Sequence, residues 1–275
     1  LHSIQACIPH KTILPVGIDR ITPAADWTHA VARVHAIERV YNGDNFVYDL
    51  RIEDANGRIC EQWEGLHLRA VAMIEARAGW PLPLLVPYLE RRIGQLLSCS
   101  GIQIGLLDAK KEQPEDVISD SIREMFGSEA MLVHRPDGKP GIMGTRSSEP
   151  HISISHAGAI SLLLSATQNA GCDLEKIVCR DSACWEQLLG VEDFALAELL
   201  AGESKSSFDD AATQVWTLKE SLRKAGSSFG QSMSLSARST DGWASFSAGR
   251  FTAATFKATI EGSAFAFGFV LQGTP

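Results

Sequence analysis

The chain has 275 residues, 45% of them hydrophobic and 21% charged, enough for two domains of ordinary size with a substantial core. A net charge of −8 with no basic tract excludes a broad electrostatic footprint for nucleic acid and leaves room only for a local basic pocket. No apolar run approaches the roughly 18 residues that a membrane helix needs. The N-terminal LHSIQACIPHK has no charged-then-apolar signal pattern, and the missing initial Met suggests a piece of something longer. The six cysteines show no C-x-x-C pair and no zinc spacing, so they read as reduced thiols of a cytosolic (cytoplasmic) protein.

Leu1 to Cys7 reads as the end of a helix, with Leu1, Ile4 and Gln5 on one side. Leu14 to Ile21 is a short apolar strand. Ala30 to Val40 and Phe46 to Glu53 alternate apolar and polar, which predicts half-buried strands. Asp54-Ala55-Asn56-Gly57 is a turn, because Asn-Gly supplies the positive φ angles of a tight hairpin. Arg58 to Ala70 is the return strand, with Ile59, Trp63 and Leu66 among its buried candidates. Two of these stretches, LHSIQACIPHKTILPVGIDRI and YDLRIEDANGRICEQWEGLHLRAV, resemble the C-terminal part of a polyketide-synthase dehydratase domain. The resemblance covers about residues 1–74 and implies a partial hot-dog fold, a helix wrapped by antiparallel sheet. It places the family's catalytic His in an absent first hot dog and the catalytic Asp just before Leu1. It therefore implies no dehydration by this segment alone. His29, His35 and His67 do not match the family's positions and read as surface or satisfied core histidines.

Residues 79–83, with Gly79, Pro81 and Pro83, form an expected linker between domains of residues 1–78 and 84–275. Leu84 to Leu97 predicts a helix with Leu85, Leu89, Ile93 and Leu96 or Leu97 on one face, Pro87 in its first turn, and Arg91 and Arg92 on the polar side. Gly101 to Leu107 is an apolar strand, followed by Lys110-Lys111 in a loop. Asp116 to Phe126 predicts a helix with Val117, Ser121 or Ile122 and Met125 inward, and Gly127 as its stop. Met131 to Pro140 predicts a hairpin turning at Asp137-Gly138, with Lys139 at its edge.

His151 to Lys176, HISISHAGAISLLLSATQNAGCDLEK, reads as strand, Ser-His turn, apolar strand, turn and short strand. Asp173 and Glu175 stand at i and i+2 and share one strand face. Two adjacent carboxylates repel unless a cation lies between them, and a hard divalent ion such as Mg²⁺ prefers oxygen ligands. Cys172, Leu174 and Ile177 are left for the core. Cys184 to Leu200 predicts a helix with Trp185, Leu188 or Leu189, Phe194, Leu196 and Leu199 apolar, and Ala201 to Phe208 a loop. Gln214 to Ala225, QVWTLKESLRKA, predicts an amphipathic helix with Val215, Leu218, Leu222 and Ala225 as core stripe. Trp216, Glu220 and Lys224 recur on an adjacent face, and Lys219 and Arg223 form a further pair. The tail alternates in strands at Met233–Ala237, Ala244–Ala248, Phe251–Ile260 and Phe265–Leu271, with Phe265, Phe267 and Phe269 on one core face. The fold class is α+β.

Four motifs in order, Gly138-Lys139-Pro140, Ile154-Ser155-His156, Gly171 to Glu175, and Trp216 to Lys224, are together similar to the surfactin-type 4′-phosphopantetheinyl transferases. That resemblance covers about residues 84–275 and implies a pseudo-dimer of two α/β lobes, roughly 84–168 and 169–275, with coenzyme A between them. It implies Mg²⁺ carboxylates at Asp173, Glu175 and Glu220, with Glu220 also the base for a serine of an acyl carrier protein. It implies coenzyme A contacts from Ser155 and His156 to phosphate, from Lys139 and Pro140 near the adenine, and from Lys219 and Lys224 to phosphate, Lys224 being the better candidate to stabilise the leaving group. For the ribose phosphate it leaves Arg91, Arg92, Lys110, Lys111, Arg123 and Arg135 open. Together the two resemblances imply an arrangement like that of enediyne-type iterative polyketide synthases. The competing expectations are a hot-dog dehydratase or thioester module with a non-catalytic carrier-docking C-terminal domain, and a module that only binds coenzyme A or carrier.

Overall fold

The structure, a computed structural model, describes residues 2–24, 31–73, 79–108, 114–145, 150–227 and 230–273. Leu1, His29, Ala30, Ala78, Lys110 and Lys111 lie outside these residues. The chain forms two compact units, Leu1–Ala76 and Arg77–Pro275. Among the described residues, no helix is long and apolar enough to cross a membrane.

The first unit opens with helix α1 (His2–Cys7) and continues as strands β1 (Lys11–Pro23), β2 (Val31–Asn42), β3 (Asn45–Asp54) and β4 (Ile59–Met73). They form one antiparallel sheet in the order β1-β4-β3-β2. The alternation of β3 works as the period of two requires: Phe46, Tyr48 and Leu50 turn inward and pack with Leu66 and Leu68 of β4 and with Ile4, Ile8 and Ile13. The Asp54 turn closes through Gly57 at φ 76°. Asp54 holds it with its side chain, Oδ1 accepting from the backbone N–H of Asn56 (2.8 Å) and Arg58 (3.0 Å). Two expectations change. β2 is not half-buried: Val34, Ile37 and Val40 are exposed, as is Ile59 of β4, while Trp63 is half-buried. β2 is the edge strand of the sheet, paired only with β3.

The second unit runs α2 (Leu82–Leu96), β5 (Gln103–Asp108), α3 (Pro114–Phe126), β6 (Met131–His134), β7 (Pro140–Met143), β8 (His151–Ala157), β9 (Ile160–Ala166), β10 (Ala170–Lys176), α4 (Ser182–Ser204), α5 (Phe208–Lys224), β11 (Ser234–Arg238), β12 (Ala244–Ala248), β13 (Phe251–Ile260) and β14 (Ser263–Gln272). Its sheets are antiparallel: β5-β9-β8, the hairpin β6-β7, and β10-β14-β13-β12-β11. The chain passes from the three-stranded to the five-stranded sheet at residues 167–169. One core spans both, joining Leu85, Leu89 and Ile93 of α2 to Leu162 and Leu164 of β9 and to Phe265, Phe267 and Phe269 of β14. A second core lies between α4, α5 and the far face of the five-stranded sheet, around Leu189, Val215, Leu218, Phe246 and Val270.

The expected linker is structured. Trp80 is buried, its backbone N–H donates to the Thr259 carbonyl (2.8 Å), and its ring stacks on Tyr88 at 4.7 Å. Because α2 begins at Leu82, Pro87 falls in its second turn, and burial of Leu85, Leu89 and Ile93 carries the helix through it. Arg92 is not on a polar surface: its Nε lies 2.7 Å from Asp241 Oδ2, and both side chains are almost fully enclosed. In α3, Ile118 and Ile122 face inward, and Gly127 at φ 106° stops the helix with its N–H on the Arg123 carbonyl. The Ser-His pair stands within β8, and the turn is at Gly158-Ala159. The helix expected over 184–200 extends to Ser204 and breaks at Gly190, whose φ of 76° and ψ of 174° interrupt α4. Leu199 of that helix faces solvent, whereas Trp185, Leu189 and Leu196 are buried.

Candidate functional site

The site is built where α5 crosses β10. Two glycines let the helix lie directly on the strands: a methyl on Gly171 would meet the Ser221 carbonyl oxygen at 2.0 Å, and one on Gly268 of β14 would meet the Thr217 carbonyl at 2.7 Å. The glycine of the Gly-Cys-Asp-Leu-Glu motif is thus a packing requirement. β10 alternates: Cys172 and Leu174 point fully into the core, and Asp173 and Glu175 point toward α5.

Each carboxylate meets a side chain of α5. Lys224 Nζ donates to Asp173 Oδ1 at 2.7 Å, and the Trp216 indole N–H donates to Glu175 Oε1 at 3.3 Å. Trp216 and Lys224 are two turns apart on one helix face, and Glu220 lies midway between them. The remaining oxygen of Asp173, Oδ2, is buried and has no hydrogen-bond partner among the described residues. Burial, then the neighbouring Asp173 charge, holds the Glu175 carboxyl above the ordinary carboxylate range. An orphaned buried acceptor beside a second carboxylate that resists ionising is the chemistry a hard cation satisfies. Glu220 is turned elsewhere: Oε2 accepts from Arg223 Nη2 (2.7 Å) and Nε (3.1 Å). With Glu220 so engaged, no three Asp, Glu, His or Cys side chains among the described residues are gathered to hold a metal ion. The donor set fits such an ion in its β10 half, and its third member stands one turn along α5 in another ion pair.

Lys224 joins the two sheets. Besides Asp173, its ammonium donates to the carbonyls of Ile154 (3.2 Å) in β8 and Cys172 (3.1 Å) in β10. All three of its hydrogens are thereby used. Where β8 and β10 meet, two serine hydroxyls bridge them: Ser153 Oγ accepts from Cys172 N–H (3.0 Å), and Ser155 Oγ accepts from Leu174 N–H (3.2 Å) while donating to Asp173 Oδ1 (2.7 Å).

Ser155, expected on coenzyme phosphate, is buried here with its hydroxyl on the Asp173 carboxylate. The reason is the pleat: Ser153 and Ser155 share the inward face of β8, and His156 takes the other. His156 is part exposed, its Nδ1 lies 2.8 Å from Ser161 Oγ, and desolvation of the enclosed part of the ring, followed by the Lys224 charge, lowers its pKa. Lys219, another residue expected on phosphate, lies against α4. One residue is 100° of helix rotation from Glu220, and this turns Lys219 toward α4, where Nζ caps the Leu188 (3.3 Å) and Leu189 (2.6 Å) carbonyls at the Gly190 break and pairs with Asp193 (3.1 Å).

Two cavities flank Pro140. One, of about 270 Å³, is lined by Arg135, Lys139 and Pro140 of the β6-β7 hairpin together with Lys224. The other, of about 770 Å³, is lined by His134, Pro140, His156 and the start of α3. The hairpin turn is ordered by Asp137, whose Oδ1 accepts from Lys139 N–H (3.1 Å). Of the basic residues left open for a phosphate, Arg135 is on the cavity. Arg92 is consumed by Asp241, Arg123 pairs with Asp120 on the surface of α3, and Lys110 and Lys111 lie outside the described residues. The positioning roles of Trp216 and Ser155 are not legible from spacing, since both depend on which strand faces which helix.

In the first unit, of the two described candidate histidines, His35 lies 3.3 Å from the buried Glu53 carboxylate and His67 forms a surface pair with Asp19 (2.9 Å). No curated protein matches the chain. The family model that matches is described as a polyketide synthase dehydratase N-terminal domain, where the sequence resemblance pointed to the C-terminal part. Residues 1–77, which take in the whole first unit, are thus similar to a polyketide-synthase dehydratase segment.

Proposed function

We propose that residues 84–275 transfer 4′-phosphopantetheine from coenzyme A to a serine of an acyl carrier protein, in a polyketide-synthase context supplied by residues 1–77. The observation that carries this reading is the convergence of Asp173 and Glu175 with Trp216 and Lys224 beside a cavity edged by Arg135 and Lys139. Coenzyme A brings a pyrophosphate and a ribose phosphate, so its site needs several cations. Arg135 and Lys139 supply two, and His156, across Pro140, faces the adjoining cavity.

Asp173, Glu175 and Glu220 are the residues that would hold Mg²⁺. Such an ion supplies Lewis acidity at a phosphoryl group and offsets its developing charge. The chain's own residues do the rest. Ser155 and Trp216 fix the two β10 carboxylates in place. Glu220 takes the proton of the carrier serine, a weak nucleophile without a base. Lys224 stabilises charge on the departing 3′,5′-ADP phosphate. Lys219 ties α5 to α4.

The test is mass spectrometry of an apo carrier protein incubated with the chain, coenzyme A and Mg²⁺. A gain of one phosphopantetheine supports the proposal, and no gain with a competent carrier overturns it. Glu220→Gln is expected to abolish transfer with the fold intact. The second reading, a dehydratase or thioester module whose C-terminal unit only docks a carrier, draws on the family match of residues 1–77. It predicts carrier binding without modification in the same experiment.

A further inference from the structure

His156 and Ser161 face each other across the β8-β9 hairpin as direct register partners. Cross-strand partners share one face of a sheet, so the hairpin itself delivers the hydroxyl to the ring. His156 Nδ1 lies 2.8 Å from Ser161 Oγ. The pair is asymmetric. Ser161 is 2% exposed, and on its other side β5 places Leu107, which offers it no polar side-chain atom. Among the described residues, the Ser161 hydroxyl has no other hydrogen-bond partner. His156 is anchored through Nδ1. Its Nε2 has no partner among the described residues, and the residue lines the cavity of about 770 Å³.

We infer that Ser161 is a positioning residue: its hydroxyl donates to His156 Nδ1 and so selects the tautomer that carries the proton on Nε2, presenting that N–H to the cavity as a donor for an anionic oxygen. The oxygen is that of a coenzyme A phosphate, and this part rests on the transferase reading above. The direction of the bond follows from the buried hydroxyl. A neutral imidazole has one donor and one acceptor nitrogen, and the hydrogen bond made by one fixes the other. Were Nδ1 the donor, the Ser161 hydrogen would be enclosed with no acceptor, and an unmet buried hydroxyl is costly. With Nδ1 the acceptor, both groups are satisfied and the free N–H falls on Nε2. The imidazolium would strand the same hydrogen, since both its nitrogens donate. Glu115 and Asp116 of α3 and His134 of β6 line the same cavity. The two carboxylates favour the imidazolium, but burial and the Lys224 charge outweigh them. His156 thus serves as an oriented neutral donor and leaves the positive charge of the site to Arg135, Lys139 and Lys224.

The experiment is long-range ¹H–¹⁵N NMR on the full chain labelled with ¹⁵N-histidine, at about pH 7.5, above the ordinary histidine value. The His156 signals are those absent from His156→Gln. Wild type is expected to show Nδ1 as an unprotonated acceptor and the proton on Nε2. Ser161→Ala, which removes the donor and adds no bulk, should move both signals toward the average of two exchanging tautomers. Coenzyme A should shift the wild-type Nε2–H signal. Ser161→Ala should bind coenzyme A about fivefold more weakly, the worth of roughly one ordinary hydrogen bond. A wild-type proton on Nδ1 overturns the proposal, and that result needs no Ser161 variant to fold. Signals unmoved by Ser161→Ala overturn the role of Ser161. A wild-type Nε2–H signal that coenzyme A leaves unmoved overturns the phosphate as its partner. The transferase reading stands or falls separately, on carrier modification.

Discussion

Gly171→Ala is the sharpest structural test of how the site is held. The added methyl would sit 2.0 Å from the Ser221 carbonyl oxygen and 2.8 Å from the Ala225 nitrogen, both backbone atoms that cannot rotate aside. Ordinary contact begins at 3.4 Å, so α5 must retreat from β10 by about 1.4 Å. Overpacking of this kind costs about 1–3 kcal/mol, and a backbone obstacle favours the upper figure. At roughly 2–4 °C per kcal/mol for a unit of this size, the Tm should fall by about 6–12 °C. Glu220 and Lys224 ride on the displaced helix, and a misplacement of about 1 Å is worth roughly a hundredfold in rate. The assay is thermal unfolding by circular dichroism beside carrier modification by mass spectrometry. Gly202→Ala is the control: it lies near the end of α4, its methyl would meet nothing within 4 Å, and its φ is ordinary. That variant should be unchanged or stabilised by up to about 1 kcal/mol. A Gly171→Ala protein melting within about 1 °C of wild type, with full transfer activity, would refute the close-packing argument.

Asp241→Ala should destabilise the second unit by about 3–5 kcal/mol in urea unfolding, because it strands the enclosed Arg92 guanidinium and removes the acceptor of the Tyr88 hydroxyl (2.9 Å). Native-state alkylation should label exposed Cys179 and spare Cys172, whose thiol is fully buried and pushed up to about 12. Labelling of Cys172 without denaturant would contradict its place in the core. His156 titrates below its ordinary value because burial and Lys224 disfavour the imidazolium. The unfolded chain, at about 6.5, binds that proton first, so stability rises with pH across the window between the folded and unfolded values and is lost as pH falls through it. His156→Gln should flatten that slope just below the ordinary histidine value of about 6.5; an unchanged slope would show that His156 is not its source. Trp216→Phe keeps the ring but removes the donor to Glu175. It should weaken Mn²⁺ binding severalfold while leaving the Tm near wild type, and unaltered Mn²⁺ affinity would remove Trp216 from the site.

Local rules reached much of this fold. Period-two alternation located β3, β12, β13 and β14, the 3–4 stripe of α5 matched its buried residues, and Asn56-Gly57 marked its turn. Such signals depend on one segment facing one core, and they weaken when a residue's partner is distant. β2 alternates as a half-buried strand does yet exposes its valines at a sheet edge. Arg92 sits on a polar helix stripe and is buried by Asp241, 149 residues later.

The sequence by itself determined that Asp173 and Glu175 share a face and that Trp216, Glu220 and Lys224 recur on one helical stripe, because both follow from fixed backbone periods. Only the tertiary structure decided how these groups pair. It turned Ser155 onto Asp173 and His156 away, sent Lys219 to the broken α4, put Lys224 on Asp173 and Arg223 on Glu220, and placed Arg135 on the cavity that Lys139 and Lys224 line. Each of these outcomes depends on which helix crosses which strand and at what distance. That distance is set by two glycines, Gly171 and Gly268, that leave α5 in backbone contact with the sheet.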